Sequence, residues 1–530
     1  MKAFSWRLCP DAPKPFMKAV PTCWFSTGST RNGVAESPRF SRAERRMVWL
    51  LGFVAALRVG FYAATFPFFN NVDEFAHYDH VVRWSQGEFP RRMGWPTPTA
   101  VAEYALIASP EYTGDTTTVP PMRMLPDERD AAIVVRKHAA GAAMNHELLQ
   151  PPLYYILAGA WRAGGQKLGL PPTGLAYSVR ALNVLLVFLT VLVAAAIGRQ
   201  VFPEDRFNRL ALPALVALMP QDAFYSITND VPSALLGGSV MVLGLSLHRS
   251  NGSNRRALWA GAFAAAALMA KWSNIIVMIP VVGAAIMVLS HARREGQGRH
   301  ALYTTITLGL ATFIPLLAWM TFNLLTMDDL SGGATTAAFK GWTPIPLTAR
   351  LDHPLFTSPA RWRTFLQDVI VTLWRGEYIW HGIRLASPTM DWLYILATIT
   401  GLTGALLAAI RRVSSLPAPS ACALIWSWLM LCAGVAFLVY ISVSWDFGPF
   451  WFYPSRNDPV LSSGRLILAS LIPFCLLLVV GLDEWVRLLG RPWLRAPILL
   501  ALLMSTALSE FILHWPVLAS PYNAFHLLGR

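Results

Sequence analysis

The stretch from residue 179 to residue 198 reads VRALNVLLVFLTVLVAAAIG, and it decides the class of the fold. A bilayer core about 30 Å thick needs roughly 20 apolar residues in a helix, so this stretch predicts a transmembrane helix. Further apolar stretches bounded by charged residues, Pro or Gly are 47–66, 210–225, 231–247, 257–270, 274–289, 301–325, 392–410, 421–443, 466–482 and 497–513. The sequence therefore predicts an all-α polytopic membrane protein with about eleven transmembrane helices.

The composition of the whole chain agrees with this fold class. Of its 530 residues, 54% are hydrophobic and 14% are charged, and the mean hydropathy is +0.43. Soluble domains carry about 25% charged residues, so the composition argues strongly against a soluble protein. The five cysteines have no paired spacing, and we therefore expect neither a disulfide framework nor a zinc motif.

The net charge of +14 is concentrated on one side of the predicted membrane topology. Lys and Arg resist translocation, so loops rich in them stay in the cytoplasm. Five alternate loops share an excess of arginine: 199, 206 and 209; 249, 255 and 256; 293, 294 and 299; 411 and 412; 487, 491 and 495. We expect an inner (plasma) membrane protein with a cytoplasmic N-terminus, an external C-terminus and no affinity for nucleic acid.

The predicted topology divides the chain into a tail, a membrane domain and external segments. Residues 1–46 form a basic tail that we expect to be disordered in the cytoplasm, and residues 47–515 form the transmembrane domain. Two long segments, 67–178 and 326–391, fall on the external side, where functional residues are expected. Residues 516–530 form a short external tail.

One apolar stretch in the first external segment, residues 153–163, is too short to span and carries Arg162. It predicts a helix lying in the plane of the membrane surface.

The first candidate cluster follows the first span directly. In a helix, Asp73, His77 and His80 fall at i, i+4 and i+7 on one face, with Glu74 beside them. A partly desolvated carboxylate there could deprotonate an acceptor hydroxyl. The same pattern could bind a divalent metal, and the sequence does not decide whether one is required. A solvated loop helix is the alternative that this pattern leaves open.

The second cluster lies in residues 145–155, where His146 and Gln150 precede two prolines and two tyrosines. Pro151 and Pro152 break any preceding helix and predict the start of the in-plane helix. Tyr154 then lies at interface depth, where amphipathic rings are stable. A membrane-anchoring turn explains the prolines and tyrosines but leaves His146 and Gln150 without a role.

The third cluster consists of polar residues at external span ends. Asn229 and Asp230 lie in the turn between two spans, where Asp230 could also serve as a helix N-cap. Lys271 and Arg465 are exceptions to the charge bias and could bind a lipid phosphate or diphosphate. Lys271 could equally snorkel to the interface. Arg58, inside the first span, must face protein or water and is expected to be structural.

These motifs together resemble the membrane-embedded glycosyltransferases of the GT-C superfamily, and in particular the DUF2142-like family of predicted multi-pass proteins. The residues that carry the resemblance are Asp73, Glu74 and His77; His146 and the Gln-Pro-Pro-Leu-Tyr-Tyr run 150–155; Asn229 and Asp230; Ala270 and Lys271; and Ser463, Gly464 and Arg465. The similarity covers roughly residues 45–515.

The resemblance implies transfer of a sugar from a polyprenyl-phosphate donor to an acceptor at the external face. It assigns Asp73 as general base, with Glu74 as second choice, and assigns Arg465 and Lys271 to the departing lipid phosphate. It implies substrate-binding positions at His77, His146, Gln150, Tyr154, Asn229 and Asp230. Because the external tail is short, we expect a lipid-linked or small cell-envelope glycan as acceptor.

A second functional class also fits a chain of this kind, namely a transporter or flippase of a lipid-linked glycan. Transporters usually place ionisable residues near the bilayer midplane. Here the acidic residues cluster at the predicted outer boundary, which favours the glycosyltransferase.

Overall fold

The computed structural model describes residues 40–71, 73–90, 92–107, 134, 137–138, 140–142, 144–249, 252–380, 383–449 and 454–519. Most of the predicted N-terminal tail and the end of the predicted C-terminal tail lie outside these residues. The cysteines that are described, Cys422, Cys432 and Cys475, are free.

The described residues fold almost entirely into α-helices, which we number in chain order. They are α1 (Arg42–Thr65), α2 (Glu74–Ser85), α3 (Pro98–Ile107), α4 (Leu153–Lys167), α5 (Pro172–Val201), α6 (Arg206–Ala217), α7 (Val231–Arg249), α8 (Asn254–Ala270), α9 (Met278–Glu295), α10 (Gly298–Met327), α11 (Gly333–Phe339), α12 (Pro354–Thr357), α13 (Pro359–Arg375), α14 (Pro388–Arg412), α15 (Ala418–Ser444), α16 (Leu471–Leu488) and α17 (Arg495–Ala519).

Short 3₁₀ segments and minimal strands complete the fold. The 3₁₀ segments are His146–Leu149, Asp222–Tyr225, Trp272–Val277, Leu347–Asp352, Val413–Ser415, Gly464–Ser470 and Pro492–Leu494. Strand β1 (Thr343–Pro344) pairs antiparallel with β4 (Trp445–Asp446), and β2 (Ile379–Trp380) pairs with β3 (Ile383–Arg384). These two-residue pairs only tie loops together, so the fold is all-α.

Eight helical segments among the described residues are long and apolar enough to cross a membrane. They are Arg42–Thr65, Pro172–Val201, Trp272–Glu295, Gly298–Met327, Pro388–Ser415, Ala418–Ser444, Gly464–Leu488 and Pro492–Ala519. The chain is therefore an all-α polytopic membrane protein, as the hydropathy pattern predicts.

The predicted count of eleven spans is not confirmed. The remaining three predicted stretches are helical too, as α6, α7 and α8, but they are shorter. Helix α6 has 12 residues, which extend only about 18 Å at 1.5 Å per residue. Helix α8 has 17 residues. The apolar pattern thus located these helices correctly. Helix α6 alone is too short to cross a bilayer, whereas the 19 residues of α7 and the 17 of α8 lie near the lower end of the lengths that cross.

Ion pairs join several arginine-rich loops at one end of the bundle. Arg209 at the start of α6 lies 3.7 Å from Glu44 of α1. Arg487 and Arg495 lie 3.8 and 3.4 Å from Asp205, which precedes α6. Loops that the charge pattern places on one side of the membrane are therefore neighbours. We call this end of the bundle the arginine end.

Arg58 inside α1 has a protein partner, as its position in a span requires. Its Nη1 donates to Glu510 Oε1 of α17 at 2.5 Å and to Tyr225 Oη at 3.3 Å. The Glu510 side chain is 1% exposed. An unpaired charge at this depth would be costly, so the pair ties the last helix to the first.

The predicted in-plane helix is α4, and it begins at Leu153 directly after the two prolines. With 15 residues it is too short to cross a bilayer. Its buried Arg162 donates to Glu103 Oε1 at 2.5 Å and to Ser85 Oγ at 2.8 Å. These bonds hold α4 against α2 and α3.

Helices α14 and α16 approach each other through glycines. A Cβ atom on Gly481 would lie 1.7 Å from the carbonyl oxygen of Gly401, and one on Gly404 would lie 2.3 Å from that of Gly481. Small residues allow helix backbones in a membrane to approach closely, and the resulting van der Waals packing stabilises the association of the helices.

We expect Gly481→Ala to destabilise the protein, because its methyl group cannot fit unless α14 and α16 separate. Overpacking of this kind costs roughly 1–3 kcal/mol or more. Thermal unfolding in detergent, followed by tryptophan fluorescence, measures the effect. Gly309→Ala in α10 is the matched control, because a Cβ there meets nothing within 4 Å. Equal unfolding temperatures for the two variants would contradict the role of Gly481.

Candidate active site

Asp73 lies immediately before α2 rather than on it. The helix begins at Glu74, and Asp73 adopts a left-handed backbone conformation with φ of 60° and makes no side-chain capping bond. The predicted common helical face of Asp73, His77 and His80 is therefore wrong, because the chain turns at Asp73. The Asp73 side chain is 34% exposed, so its carboxylate is accessible to a substrate.

Glu74 is buried in a network of hydrogen bonds. Its two oxygens accept four bonds of 2.7–3.0 Å from Arg180 of α5 and from the backbone N–H of Ile227. A further bond of 2.8 Å comes from the backbone N–H of Phe69. The Glu74 side chain is 0% exposed. This carboxylate is fully engaged by the fold.

His77 faces the interior of the site from the first turn of α2. Its Nδ1 lies 2.7 Å from Tyr155 Oη of α4, and its Nε2 lies 3.5 Å from Thr228 Oγ1. Burial lowers the pKa of His77, which favours the neutral imidazole. His80 stacks on Tyr155 at a ring distance of 3.7 Å, and burial lowers its pKa to about 3. Both histidines thus pack on one tyrosine.

His146 and Glu147, in the 3₁₀ segment before α4, form a pair next to Asp73. His146 Nε2 lies 3.0 Å from Glu147 Oε1 and 3.8 Å from Asp73 Oδ1. Burial opposes the charge on His146, but Glu147 outweighs it and raises the pKa of His146. Burial likewise opposes the charge on Glu147, yet His77 and His146 hold the pKa of Glu147 well below its usual range. The pair therefore favours imidazolium and carboxylate.

Asp230 holds the two cations that interrupt the charge bias. Its Oδ1 accepts a short hydrogen bond from Lys271 Nζ, and its Oδ2 lies 3.9 Å from Arg465 Nε. Thr228 Oγ1, next to His77, donates to the same Oδ2 at 3.1 Å. Burial opposes the charge on Asp230, but Lys271 and Arg465 outweigh it and lower its pKa. Asp230 therefore orients both cations.

The backbone at Gly464 positions Arg465. A Cβ on Gly464 would lie 2.4 Å from the Val369 carbonyl oxygen of α13, so only glycine fits there. Its N–H donates to Thr372 Oγ1 at 2.6 Å. The Arg465 side chain is 14% exposed and lies between the acidic groups of Asp230 and Glu377, whose Oε1 is 4.0 Å from Nε. Helix α13 thereby fixes this guanidinium.

Glu377 and Asp222 join the site although the sequence motifs did not single out Glu377. Asp222 Oδ2 accepts the N–H groups of Glu377 and Tyr378 at 2.8 and 2.9 Å. This turn needs Gly376, whose φ is +79°. Burial raises the pKa of Asp222 to about 6. A glycine directly after an amphipathic helix in the second external segment was the available signal for this turn.

The other sequence-predicted residues lie beside the cluster. Gln150 ends the 3₁₀ segment, where its backbone N–H donates to the Glu147 carbonyl at 3.1 Å. Tyr154 is buried and packs edge-on against Tyr155. Asn229 is 1% exposed, and neither atom of its amide has a hydrogen-bond partner among the described residues.

Asp73, His146 and Glu147 could also hold a metal ion, since one ligand atom from each lies within 4.8 Å of the others. The metal-binding set suggested by sequence spacing was Asp73, His77 and His80. The structure instead brings Asp73 together with the His146–Glu147 pair. A protonated His146 cannot coordinate a cation, so the ion pair competes with such a site.

A part of the chain matches a known family model. Residues 174–319 match the family described as dolichyl-phosphate-mannose-protein mannosyltransferase. The match includes Arg180, Asn229, Asp230 and Lys271 but covers less than a third of the chain. No curated protein matches the chain. The DUF2142-like resemblance stays a prediction.

Among solved structures, the chain is similar to the archaeal oligosaccharyltransferase AglB from Archaeoglobus fulgidus in complex with an inhibitory peptide and a dolichol-phosphate. The identity is 12% and the TM-score is 0.42. The similarity covers 89% of this chain and 56% of AglB, so the chain corresponds to little more than half the length of that protein.

We expect Glu74→Gln to cost roughly 3–5 kcal/mol of stability, because it leaves Arg180 buried without a counter-charge. Denaturant unfolding measures the loss. Glu88→Gln is the control, since Glu88 is 53% exposed and its pair with Arg83 lies at the surface. If Glu74→Gln unfolds like Glu88→Gln, then Arg180 does not depend on this carboxylate.

Proposed function

We propose that this protein is a GT-C type glycosyltransferase that uses a polyprenyl-phosphate-linked sugar donor. The observation that carries the proposal is one cluster in which an accessible carboxylate, Asp73, shares a site with two cations, Lys271 and Arg465. His77 and Thr228 connect the two halves through contacts of 3.5 and 3.1 Å. The match of residues 174–319 to a family named for a lipid-phosphate sugar supports this donor class.

The reaction is a single displacement at the anomeric carbon. The acceptor hydroxyl oxygen forms a bond to C1 of the sugar while the bond between C1 and the phosphate oxygen breaks. Asp73 takes the hydroxyl proton, and the polyprenyl phosphate leaves with the electron pair of the broken bond. Such a reaction needs a base, alignment and stabilisation of the departing phosphate.

Asp73 fits the base better than Glu74. Both oxygens of Glu74 accept hydrogen bonds from Arg180 and backbone N–H groups, and the side chain is 0% exposed. Asp73 makes no capping bond and is 34% exposed. The imidazolium favoured at His146, 3.8 Å away, orients the Asp73 carboxylate.

Arg465 and Lys271 fit the phosphate. A guanidinium offers several donors in a fixed plane and suits a phosphate, while an ammonium acts as a compact charge. Asp230 pairs with both cations and thereby orients them. We assign His77, His146, Gln150, Tyr154 and Asn229 to the walls of the substrate site.

The acceptor in this proposal is a lipid-linked or small cell-envelope glycan, and the reaction takes place at the non-cytoplasmic face. The charge bias of the loops supports this side, because the cluster lies in segments opposite to the arginine end. Measuring the accessibility of a single cysteine at Gln86 or Gln297 to an impermeant thiol reagent tests the orientation. We expect the reagent to label Gln86→Cys, and not Gln297→Cys, from outside intact cells. Labelling of Gln297→Cys from outside would contradict the proposed orientation.

We expect Asp73→Asn to lower the rate of sugar transfer about 10²-fold or more, because the amide cannot accept the hydroxyl proton. Asn tolerates the left-handed conformation of Asp73, so folding should be retained. Asp328→Asn is the matched control, because Asp328 also has a positive φ, of 55°, at a helix end. Transfer of labelled sugar from a synthetic polyprenyl-phosphate donor in proteoliposomes is the measurement.

The same assay with a chelator separates the two roles open to Asp73. As a base paired with an ionised His146, it should work at full rate in excess EDTA. Loss of activity in EDTA and recovery with Mn²⁺ or Mg²⁺ would make Asp73 a metal ligand instead. Unchanged transfer by Asp73→Asn would remove both roles, and vectorial movement of unmodified labelled lipid would identify a flippase.

We expect Arg465→Gln to lower kcat by roughly 10²-fold, since a preorganised cation at the departing phosphate is lost. Arg465→Lys should recover part of the rate, because it retains the charge without the planar donors. Arg456→Gln serves as control, as Arg456 is 61% exposed and pairs with Asp446. Transfer kinetics with varied donor concentration measure the effect, and equal kcat values in all variants would exclude the assignment.

A further inference from the structure

A cavity of about 120 Å³ lies at the arginine end, between the ends of α5, α14, α15 and α16 and the start of α6. Phe202, Leu424 and Leu476 contribute to an apolar wall, while carboxylates and guanidinium groups line the rest. The residues that line the cavity include none of the candidate active-site residues.

Glu484 is the unusual member of this lining. It is 2% exposed, and its Oε2 lies 3.1 Å from Arg412 Nη2. Its Oε1 is buried and accepts no hydrogen bond among the described residues, with Arg411 Nη1 3.9 Å away. A buried carboxylate oxygen without a donor is costly, so this atom calls for a hydrogen-bond donor from a ligand.

Two arginines of the lining retain donors for an anion. Arg412 is 34% exposed beside Glu484, and Arg487 is 41% exposed beside Asp483, whose Oδ2 lies 2.7 Å from Nε. Each guanidinium carries five N–H groups, of which these pairs use only some. A phosphate between the two arginines would receive charge-assisted bonds.

The charges of the lining favour a ligand with both signs. The lining contains three carboxylates, Asp205, Asp483 and Glu484, and two guanidinium groups, Arg412 and Arg487. Arg411 and Arg495 beside the lining also pair with these carboxylates, so the surroundings of the cavity carry no excess of negative charge. A purely anionic ligand would still leave the buried Glu484 Oε1 without a hydrogen-bond donor among the described residues. A phosphate linked to an ammonium group satisfies the arginines and the Glu484 oxygen together. Leu424 and Leu476 of the lining belong to α15 and α16, two of the candidate membrane spans, which suits an amphiphilic ligand.

We propose that this cavity binds the headgroup of a phospholipid that carries a phosphate and a primary ammonium group. The phosphate lies between Arg412 and Arg487, the ammonium group donates to Glu484 Oε1, and the acyl chains follow the apolar wall into the bilayer. Binding of this kind links α14, α15 and α16 at the arginine end. Lipid recognition by charged pockets between membrane helices follows the same physical chemistry.

Lipid competition on the purified full chain tests the proposal. Native mass spectrometry or thermal stabilisation is measured with phosphatidylethanolamine, phosphatidylcholine and phosphatidylglycerol of the same acyl chains. Phosphatidylcholine keeps both charges but has no N–H donor, so we expect at least about tenfold tighter binding of phosphatidylethanolamine. Equal binding of these two lipids, or preference for phosphatidylglycerol, would overturn the proposal.

Variants then assign the preference to the cavity. Glu484→Gln should bring the affinities for phosphatidylethanolamine and phosphatidylcholine within about threefold of each other. Glu295→Gln is the control, because Glu295 is 40% exposed at the end of α9 and pairs with His291. A preference that survives in folded Glu484→Gln would contradict the site. If Glu484→Gln does not fold, the lipid comparison on the unaltered chain decides.

Discussion

The arrangement of the candidate site depends on the buried pair of Arg180 and Glu74. Arg180 donates to the Ala63 and Phe66 carbonyl oxygens at the end of α1 as well as to Glu74 of α2. Glu74 in turn accepts the N–H of Ile227 in the segment that leads to Asp230. One ion pair therefore sets the positions of α1, α2, α5 and the loop before α7. Removing either charge would leave the other buried, which makes the arrangement all-or-none.

This constraint explains why the two halves of the site stay together. Asp73 precedes Glu74 directly, and Asp230 follows Ile227 by three residues. The Arg180–Glu74 pair therefore fixes the backbone beside both carboxylates. Between the two carboxylates, Thr228 Oγ1 lies 3.5 Å from His77 Nε2 and donates to Asp230 Oδ2 at 3.1 Å. Without the Arg180–Glu74 pair, the acidic and basic side chains of the site could form other ion pairs, and Asp73 would no longer be accessible.

Hydropathy predicted the helices well, because burial of apolar side chains in lipid acts on every residue of a span. It could not predict that α6 is only 12 residues long, since its apolar run continues into the 3₁₀ segment Asp222–Tyr225. The motifs also brought Asp73, His146, Asp230, Lys271 and Arg465 to notice. They did not separate Asp73 from Glu74, because adjacent carboxylates look alike until a distant arginine engages one of them.

The helical face proposed for Asp73, His77 and His80 failed for a local reason. A left-handed residue at position 73 ends the preceding turn, so the side chain of Asp73 leaves the face that His77 occupies. Asp adopts the left-handed conformation more readily than most residues. The spacing of residues in the sequence does not predict this conformation, because it depends on contacts with the rest of the fold. The same turn delivers Asp73 to His146 and Glu147, residues about seventy positions away. The departure from regular helix thus places Asp73 beside His146, while His77 reaches the same pair from α2, with its Nδ1 3.8 Å from Glu147 Oε2.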